Sequence, residues 1–209
     1  IIITNENLIN KKQEKFLTEK KNCKIIYTNL HKLGPAYSIY KIKKKLDLNG
    51  HFFISYCDVF WNWKFKEFFP RFKNQNIVFT HQGFHPHLIK NNYSGFCRVD
   101  KKNNLLKLKE KSSFTENWMN EDVSIGLYYF KNGSEMIDSI KKCIEAKDKV
   151  SNEYFPSLAF NYLIQKKFKV IVKRVNFYIH WGTPEQLEDF LLWSKAINNI
   201  FDVRKMPTP

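Results

Sequence analysis

No apolar run in this chain approaches the roughly 20 residues that a membrane-crossing helix needs. No signal peptide is visible. No two cysteines form a CxxC pair. Cys23, Cys57, Cys97 and Cys143 are scattered, as expected for reduced, mostly buried thiols of a cytoplasmic protein. Arginine is scarce: Arg71, Arg98, Arg174 and Arg204 are four of 35 basic residues. The net charge of +15 invites a polyanion-binding surface. Arginine, however, is the residue favoured for planar bidentate recognition. The abundance of Lys, Asn, Ile and Phe is that of an AT-rich genome. The lysines therefore read as solvated and compositionally driven, which argues against nucleic acid as the partner. Their field would still favour a phosphorylated substrate. There is no internal repeat and no low-complexity linker. The 209 residues, 43% hydrophobic, suit one domain spanning 1–209 with a substantial core. The chain begins with Ile1, which already reads as strand, so the natural N-terminus is expected to be missing.

What is present centres on the run from Gly50 to Asp58. Eight residues, His51-Phe52-Phe53-Ile54-Ser55-Tyr56-Cys57-Asp58, form a largely apolar stretch that stops at one carboxylate. Such a run reads as a buried strand with an acid at its carboxyl end. In open α/β sheets that edge is where ligands bind. A carboxylate there can hold a divalent metal against phosphate oxygens, or simply start a turn.

Around this strand, Ile1–Thr4 and Lys24–Thr28 read as strands, and Asn7–Lys20 as a polar helix. Pro35–Leu46 reads as a helix opened by Gly34-Pro35. Trp63–Phe69 reads as a short amphipathic helix with Phe65, Phe68 and Phe69 on its buried side, ended by Pro70. The period then shifts to strands at Ile77–Thr80, Gly95–Val99, Leu105–Lys109 and Val123–Phe130. Asp100–Asn104 is a hairpin turn between two of these. Helices are expected at Ser134–Ala146, capped by Ser134, and at Tyr154–Gln165. Strands follow at Phe168–Val175 and Phe177–Ile179. Thr183-Pro184-Glu185 opens a last helix to about Asn198. Strands alternating with helices predict an α/β fold: a Rossmann-like, mainly parallel mixed sheet flanked by helices, with an antiparallel insertion.

Four segments in order carry a resemblance. They are Leu33-Gly34-Pro35-Ala36-Tyr37-Ser38, then Asp58, then Gly95–Val99 through Lys109-Glu110-Lys111 to Ile125-Gly126-Leu127-Tyr128, then Trp181-Gly182-Thr183-Pro184-Glu185. This order and spacing resemble the sugar-phosphate nucleotidyltransferase family, in the branch found in bacterial capsule and surface-polysaccharide clusters. The resemblance runs from about residue 1 to 193. It implies an enzyme that joins a nucleoside triphosphate to a sugar phosphate or other small phosphorylated acceptor and releases pyrophosphate. It implies that Gly34, Pro35 and Ala36 lie against the nucleotide, where small side chains permit close approach. Asp58 would bind Mg²⁺ beside the α-phosphate. Gly95, Glu110 and Glu153 would contact the acceptor, and Lys111 would neutralise its phosphate. Such transfers need in-line positioning and charge neutralisation more than covalent help.

The sequence departs from the family pattern twice. The family's opening G-x-G-x-R phosphate loop does not occur here, and Ile1-Ile2-Ile3-Thr4 resembles the family's second strand. The 209 residues alone are therefore expected to be inactive. Many members also place an aspartate two residues before the glycine of Gly182-Thr183, as a second metal ligand. This chain has His180, and neutral imidazole is a poor Mg²⁺ ligand. That difference leans towards a cytidylyltransferase or an unusual acceptor. His81, His85 and His87 could ligate zinc, border the acceptor pocket, or be ordinary packing and surface residues. A non-catalytic relative that only binds ligands or partners remains the alternative reading, with a basic nucleic-acid-binding module behind it. A homo-oligomer is left open.

Overall fold

The computed structural model describes residues 1–20, 23–62, 69, 71–89 and 92–200. In chain order the strands are β1 (Ile2–Thr4), β2 (Ile25–Tyr27), β3 (Phe52–Ser55), β4 (Val59–Trp61), β5 (Asn76–His81), β6 (Gly95–Val99), β7 (Leu105–Glu110), β8 (Asp122–Phe130), β9 (Val170–Arg174) and β10 (Tyr178–His180). The α-helices are α1 (Lys11–Lys15), α2 (Pro35–Lys41), α3 (Gly133–Glu145), α4 (Ala159–Gln165) and α5 (Pro184–Ile200).

β8 is the hub of the central sheet. Its sequence Asp-Val-Ser-Ile-Gly-Leu-Tyr-Tyr-Phe is apolar on both faces, as a strand covered on both sides must be. Tyr128 and Phe130 point into one core with Ala36 and Ile39 of α2, Met136 and Ile140 of α3, and Phe160 and Leu163 of α4. Ile125, Leu127 and Tyr129 point the other way, into a core with Ile77, Phe79 and Tyr178. The alternation is the two-residue period of a strand. β5 pairs antiparallel along one edge of β8, and β9 pairs parallel with β5. β3 and β6 both pair antiparallel with β8 on its other side, and β7 pairs antiparallel with β6. Four strands (β3, β5, β6, β9) therefore run one way, against β7 and β8. The mainly parallel mixed α/β sheet and its antiparallel β6–β7 insertion match the expectation. β1 and β2 form a separate parallel pair, and β4 and β10 a separate antiparallel one.

Local chemistry explains most boundaries. Asp100 closes the β6–β7 turn by accepting from the Lys102 and Asn104 N–H groups, 2.8 Å each. Thr183 Oγ1 accepts from Gln186 N (3.3 Å) while Gln186 Oε1 accepts from Thr183 N (3.2 Å), a reciprocal cap at the head of α5. Three expectations are corrected. Asn132, not Ser134, caps α3, accepting from Glu135 N at 3.0 Å. The expected first helix is cut to α1 plus a π-helical turn at Phe16–Lys20. The expected helix at Tyr154 begins as α-helix only at Ala159. β4 went unforeseen because its three residues follow a turn without a period of their own. The expected helix at Trp63–Phe69, with Pro70, lies outside the described residues save Phe69, which packs edge-on to Tyr129. Cys97 and Cys143 are buried, but Cys57 is exposed and Cys23 only half-buried.

Asp122 ties three strands. It is buried, accepts from Thr80 Oγ1 of β5 at 2.9 Å, and receives a bidentate pair from Arg174 of β9 at 2.7 and 2.8 Å. Removing one member of such a set leaves the others unpaired. Asp122→Ala should lower the unfolding free energy by roughly 2–3 kcal/mol in urea titrations. An unchanged midpoint would show that water replaces the carboxylate at no cost.

Candidate functional site

The opposite edge of β8 is shared, and the sharing makes a site. β6 pairs with it only at Asp122 and Val123. β3 pairs with it only from Leu127 to Phe130. Between them Ser124, Ile125 and Gly126 are left without a ladder partner on that edge. The carboxyl end of β3 and the amino end of β6 therefore meet across a gap. Tyr56, just past the end of β3, lies over Gly126, and Gly95, at the start of β6, lies against Ser124. Tyr56 N donates to Gly126 O at 3.1 Å, which fixes one rim.

Gly95 sits at that meeting point because no side chain fits. A β-carbon there would lie 2.8 Å from Glu110 Oε1 and 3.3 Å from Ser124 Cβ. Glu110, its partner across the β6–β7 ladder, is 9% exposed. It accepts a short hydrogen bond from Ser157 Oγ. Burial pushes its pKa up to about 7, against the opposing pull of the Ser157 bond and the Lys111 charge. Lys111 leaves β7 in the left-handed region, φ 51°, held by its N–H on Ser94 O at 2.8 Å. That turn swings its ammonium to 3.8 Å from Glu153 Oε2.

Glu153 is in turn clamped to the head of α2. Tyr154 N donates to Leu33 O (2.9 Å), and Ala36 N donates to Tyr154 O (3.0 Å). Gly34 lies between with φ 82°, and a β-carbon there would stand 2.8 Å from both Glu153 Cβ and Tyr154 O. Only glycine suits both that dihedral and that spacing. Ala36 is fully buried, and Pro35 opens the helix. The structure thus links the residues singled out in the sequence: Gly34 touches Glu153, Glu153 pairs with Lys111, and Glu110 fills the space beside Gly95.

Asp58 stands at the other rim. Its Oδ1 is shielded from solvent and has no hydrogen-bond partner among the described residues. Its Oδ2 is 3.9 Å from His180 Nε2. The β4–β10 register sets that pairing, with His180 opposite Val59 and Trp181 N donating to Asp58 O at 2.8 Å. A groove of about 690 Å³ runs beneath, lined by Ile3, Pro35, Ser38, Phe52, Tyr56 and Asp58 among others. Among the described residues no three His, Cys, Asp or Glu side chains are placed to hold a metal.

His85 is a packing residue. It stacks on Tyr178 at 4.0 Å and its Nε2–H donates to the Tyr178 carbonyl at 3.2 Å. Burial lowers its pKa to about 4, with His81 and His180 adding to the effect. The His87 side chain lies outside the described residues. Sequence reading missed Ser157, Tyr56 and His31. His31 Nδ1 accepts from Leu33 N at 3.1 Å, which leaves Nε2–H to donate to Ser38 Oγ at 3.1 Å. A lone Ser, Tyr or His carries no spacing signal, so only the fold could find them.

Known structures share this architecture. The chain is similar to a nucleoside-diphosphate-sugar pyrophosphorylase from Vibrio cholerae RC9, with TM-score 0.71 and 18% identity, over 91% of this chain and 79% of that one. The chain has a nucleotidyltransferase-like fold. It is also similar to the inositol-1-phosphate CTP transferase of T. maritima, with TM-score 0.64 and 16% identity over 94% and 76% of the two chains. A third likeness is to the CTP:phosphocholine cytidylyltransferase of Streptococcus pneumoniae, with TM-score 0.61 and 13% identity over 92% and 78%. No protein-family model matches the chain, and no curated protein sequence does. No helix among the described residues is long and apolar enough to cross a membrane.

Glu110 gives the site a pH signature. A carboxyl whose folded pKa is raised keeps its proton in the folded state while the unfolded chain has lost it. Stability is then full below about pH 4.5, falls as pH rises towards about 7, and stays lower above. Glu110→Gln cannot lose a proton, so its stability relative to wild type should rise by about 2–3 kcal/mol between pH 4.5 and 7. Urea denaturation at pH 5 and 8 checks this. Parallel curves for the two proteins would show that Glu110 is solvated.

Proposed function

We propose that this chain is the body of a nucleotidyltransferase that joins a nucleoside triphosphate to a small phosphorylated acceptor and releases pyrophosphate. The observation that carries the reading is the run of contacts from Gly34 through Glu153 to Lys111, with Glu110 against Gly95 one residue away. These residues are up to 119 positions apart in sequence, from Gly34 to Glu153, and no packing requirement alone brings two acids and a lysine together. The likeness in fold to pyrophosphorylases and cytidylyltransferases supports it.

In this reading the nucleotide lies along the head of α2, where Gly34, Pro35 and Ala36 leave the backbone open to a flat base. Asp58 would hold Mg²⁺, because its Oδ1 is a shielded acceptor without a donor among the described residues. One carboxylate suits that ion, which is usually bound by one or two acids plus substrate phosphates. Bound there, Mg²⁺ would offset the charge of the triphosphate. Lys111 meets the acceptor phosphate and holds its attacking oxygen in line, and Glu153 steadies the ammonium when no acceptor is bound. Glu110, in a dry pocket with Ser157, orients the rest of the acceptor through its hydroxyls or amine. The acceptor class points to cytoplasmic precursor synthesis for capsule or lipopolysaccharide.

The triphosphate also needs backbone N–H groups to cradle it. The 209 residues contain no G-x-G-x-R loop. Among the described residues β1 pairs with β2 alone and β3 with β8 alone, so both border the groove with an open edge. Turnover is therefore expected only where such donors are supplied, and ligand binding alone where they are not.

The test is pyrophosphate release by the full-length protein with a panel of triphosphates against sugar, polyol and amino-alcohol phosphates. One pairing should turn over, and Asp58→Asn should reduce kcat at least 100-fold, about 2.7 kcal/mol of transition-state stabilisation. Lys111→Ala should raise the acceptor KM with less effect on the triphosphate KM. No turnover by any pairing, or an Asp58→Asn enzyme as fast as wild type, would sink the reading.

A further inference from the structure

The outer edge of β7 is gripped by α4 and the turn before it, and the grip ends beside Lys111. Among the described residues β7 has one ladder partner, β6. At Leu108 the other edge is closed by a side chain. Asn161 Nδ2 donates to Leu108 O, and Asn161 Oδ1 accepts from Leu108 N, both at 2.9 Å. The amide does for Leu108 what a neighbouring strand would do. Ser157, four residues before Asn161, donates to Glu110, two residues after Leu108. Phe160 N donates to Ser157 O and Asn161 N to Leu158 O, both at 3.1 Å, so Ser157 and Asn161 stand one turn apart. A helical turn rises about 5.4 Å and two strand residues about 6.6 Å, so the two spacings match.

The next residue on the strand is Lys111, which carries a side chain yet has φ 51°. Such a residue stays in the left-handed region only where its surroundings over-determine it, and these outliers cluster at functional sites. From the β6 side the hold is Ser94 O, which accepts from Lys111 N at 2.8 Å. From the α4 side it is the paired bonds of Asn161 and the bond from Ser157.

We propose that Asn161 is a positioning residue: acting through β7, it keeps Lys111 in the left-handed turn that aims its ammonium at the acceptor phosphate. That Lys111 meets an acceptor phosphate rests on the nucleotidyltransferase reading, whereas the hold on Lys111 does not. Without the Asn161 amide, Leu108 N–H and O turn to water and the end of β7 opens locally. Lys111 then relaxes into ordinary backbone geometry, and its ammonium leaves the site.

Asn161→Leu is of similar size and removes both bonds. Asn161→Ala is the milder change, because it leaves room for water at Leu108. Tyr162→Phe is the control: on the same helix it deletes a bond to Asp148 (3.2 Å) rather than to β7. Amide hydrogen exchange is followed residue by residue by NMR in the full-length protein. Both Asn161 variants should speed exchange of the Lys111 N–H about tenfold, although its own bond is to Ser94, and leave the β5 amides as in wild type. With the triphosphate and acceptor phosphate that turn over in the panel above, the acceptor KM should rise about tenfold and the triphosphate KM stay within about twofold. Tyr162→Phe should change none of these. Lys111 exchange as slow as in wild type, an equal rise in both KM values, or the same effects from Tyr162→Phe would overturn the proposal. So would failure of both Asn161 variants to fold, which would leave the amide a stability element alone. Wild type that turns over no pairing sinks the nucleotidyltransferase reading, and exchange at Lys111 then still decides whether Asn161 holds it. Turnover with faster Lys111 exchange but an unchanged acceptor KM sinks the Asn161 proposal alone.

Discussion

The ladder along β8 is interrupted, and the candidate site exists because of that interruption. A strand of nine residues pairs with β5 along one side but is shared by β6 and β3 on the other. Had one strand covered that whole edge, Ser124 to Gly126 would be filled with ladder bonds. The split instead exposes the ends of two strands to each other. Strand ends are where side chains can leave the plane of the sheet, so Tyr56 and Gly95 come to the two sides of the gap without any helix directing them. Gly126, with φ 76°, lies where the β5–β8 register shifts, between the Val78–Tyr128 and Thr80–Ser124 pairs.

Charge follows from that geometry. The gap lies over a packed core, so the first acid behind it, Glu110, is nearly dry and its proton is held more tightly. Lys111, one residue on, emerges into partial solvent, where it can pair with Glu153 and still meet an incoming anion. A dry acid and a wet cation on adjacent residues require a sharp change of direction, and the left-handed backbone at Lys111 supplies it. The pair with Glu153 is half-exposed, so it steadies the lysine more than it stabilises the fold. It is well suited to being exchanged for a phosphate.

Much of this was legible in the sequence, for identifiable reasons. Strands such as β5 and β8 declare themselves through apolar runs, and α5 through Thr183-Pro184. Gly34, Asp58, Gly95 and the Glu110-Lys111 pair stand out in the sequence by an order and spacing that resemble a family's, and the structure sets Gly34 against Glu153 and Gly95 against Glu110. What the sequence could not show is adjacency made by tertiary contacts. Ser157 lies 47 residues from Glu110 and has no motif of its own. Asp122 and Arg174 look like unrelated surface charges until β5 sets them side by side. The cap of α3 was misjudged because Asn132 and Ser134 are both good caps, and only the approach of Gly133 N to Gly50 O, 3.1 Å, decides where the chain turns.

His180 shows how a fold can constrain chemistry without specifying it. The β4–β10 ladder puts whatever residue stands at 180 beside Asp58. A second carboxylate in that place would repel the first, and a cation would have to hold the two together. An imidazole carries no such penalty, so Asp58 and His180 can sit 3.9 Å apart without a bridging ion. The cost is that the imidazole contributes little to binding a hard cation. If Asp58 holds Mg²⁺ as proposed, most of that ion's ligands would have to come from the substrate's own phosphates. On that proposal metal and triphosphate would bind together rather than in sequence, in the groove beneath Asp58.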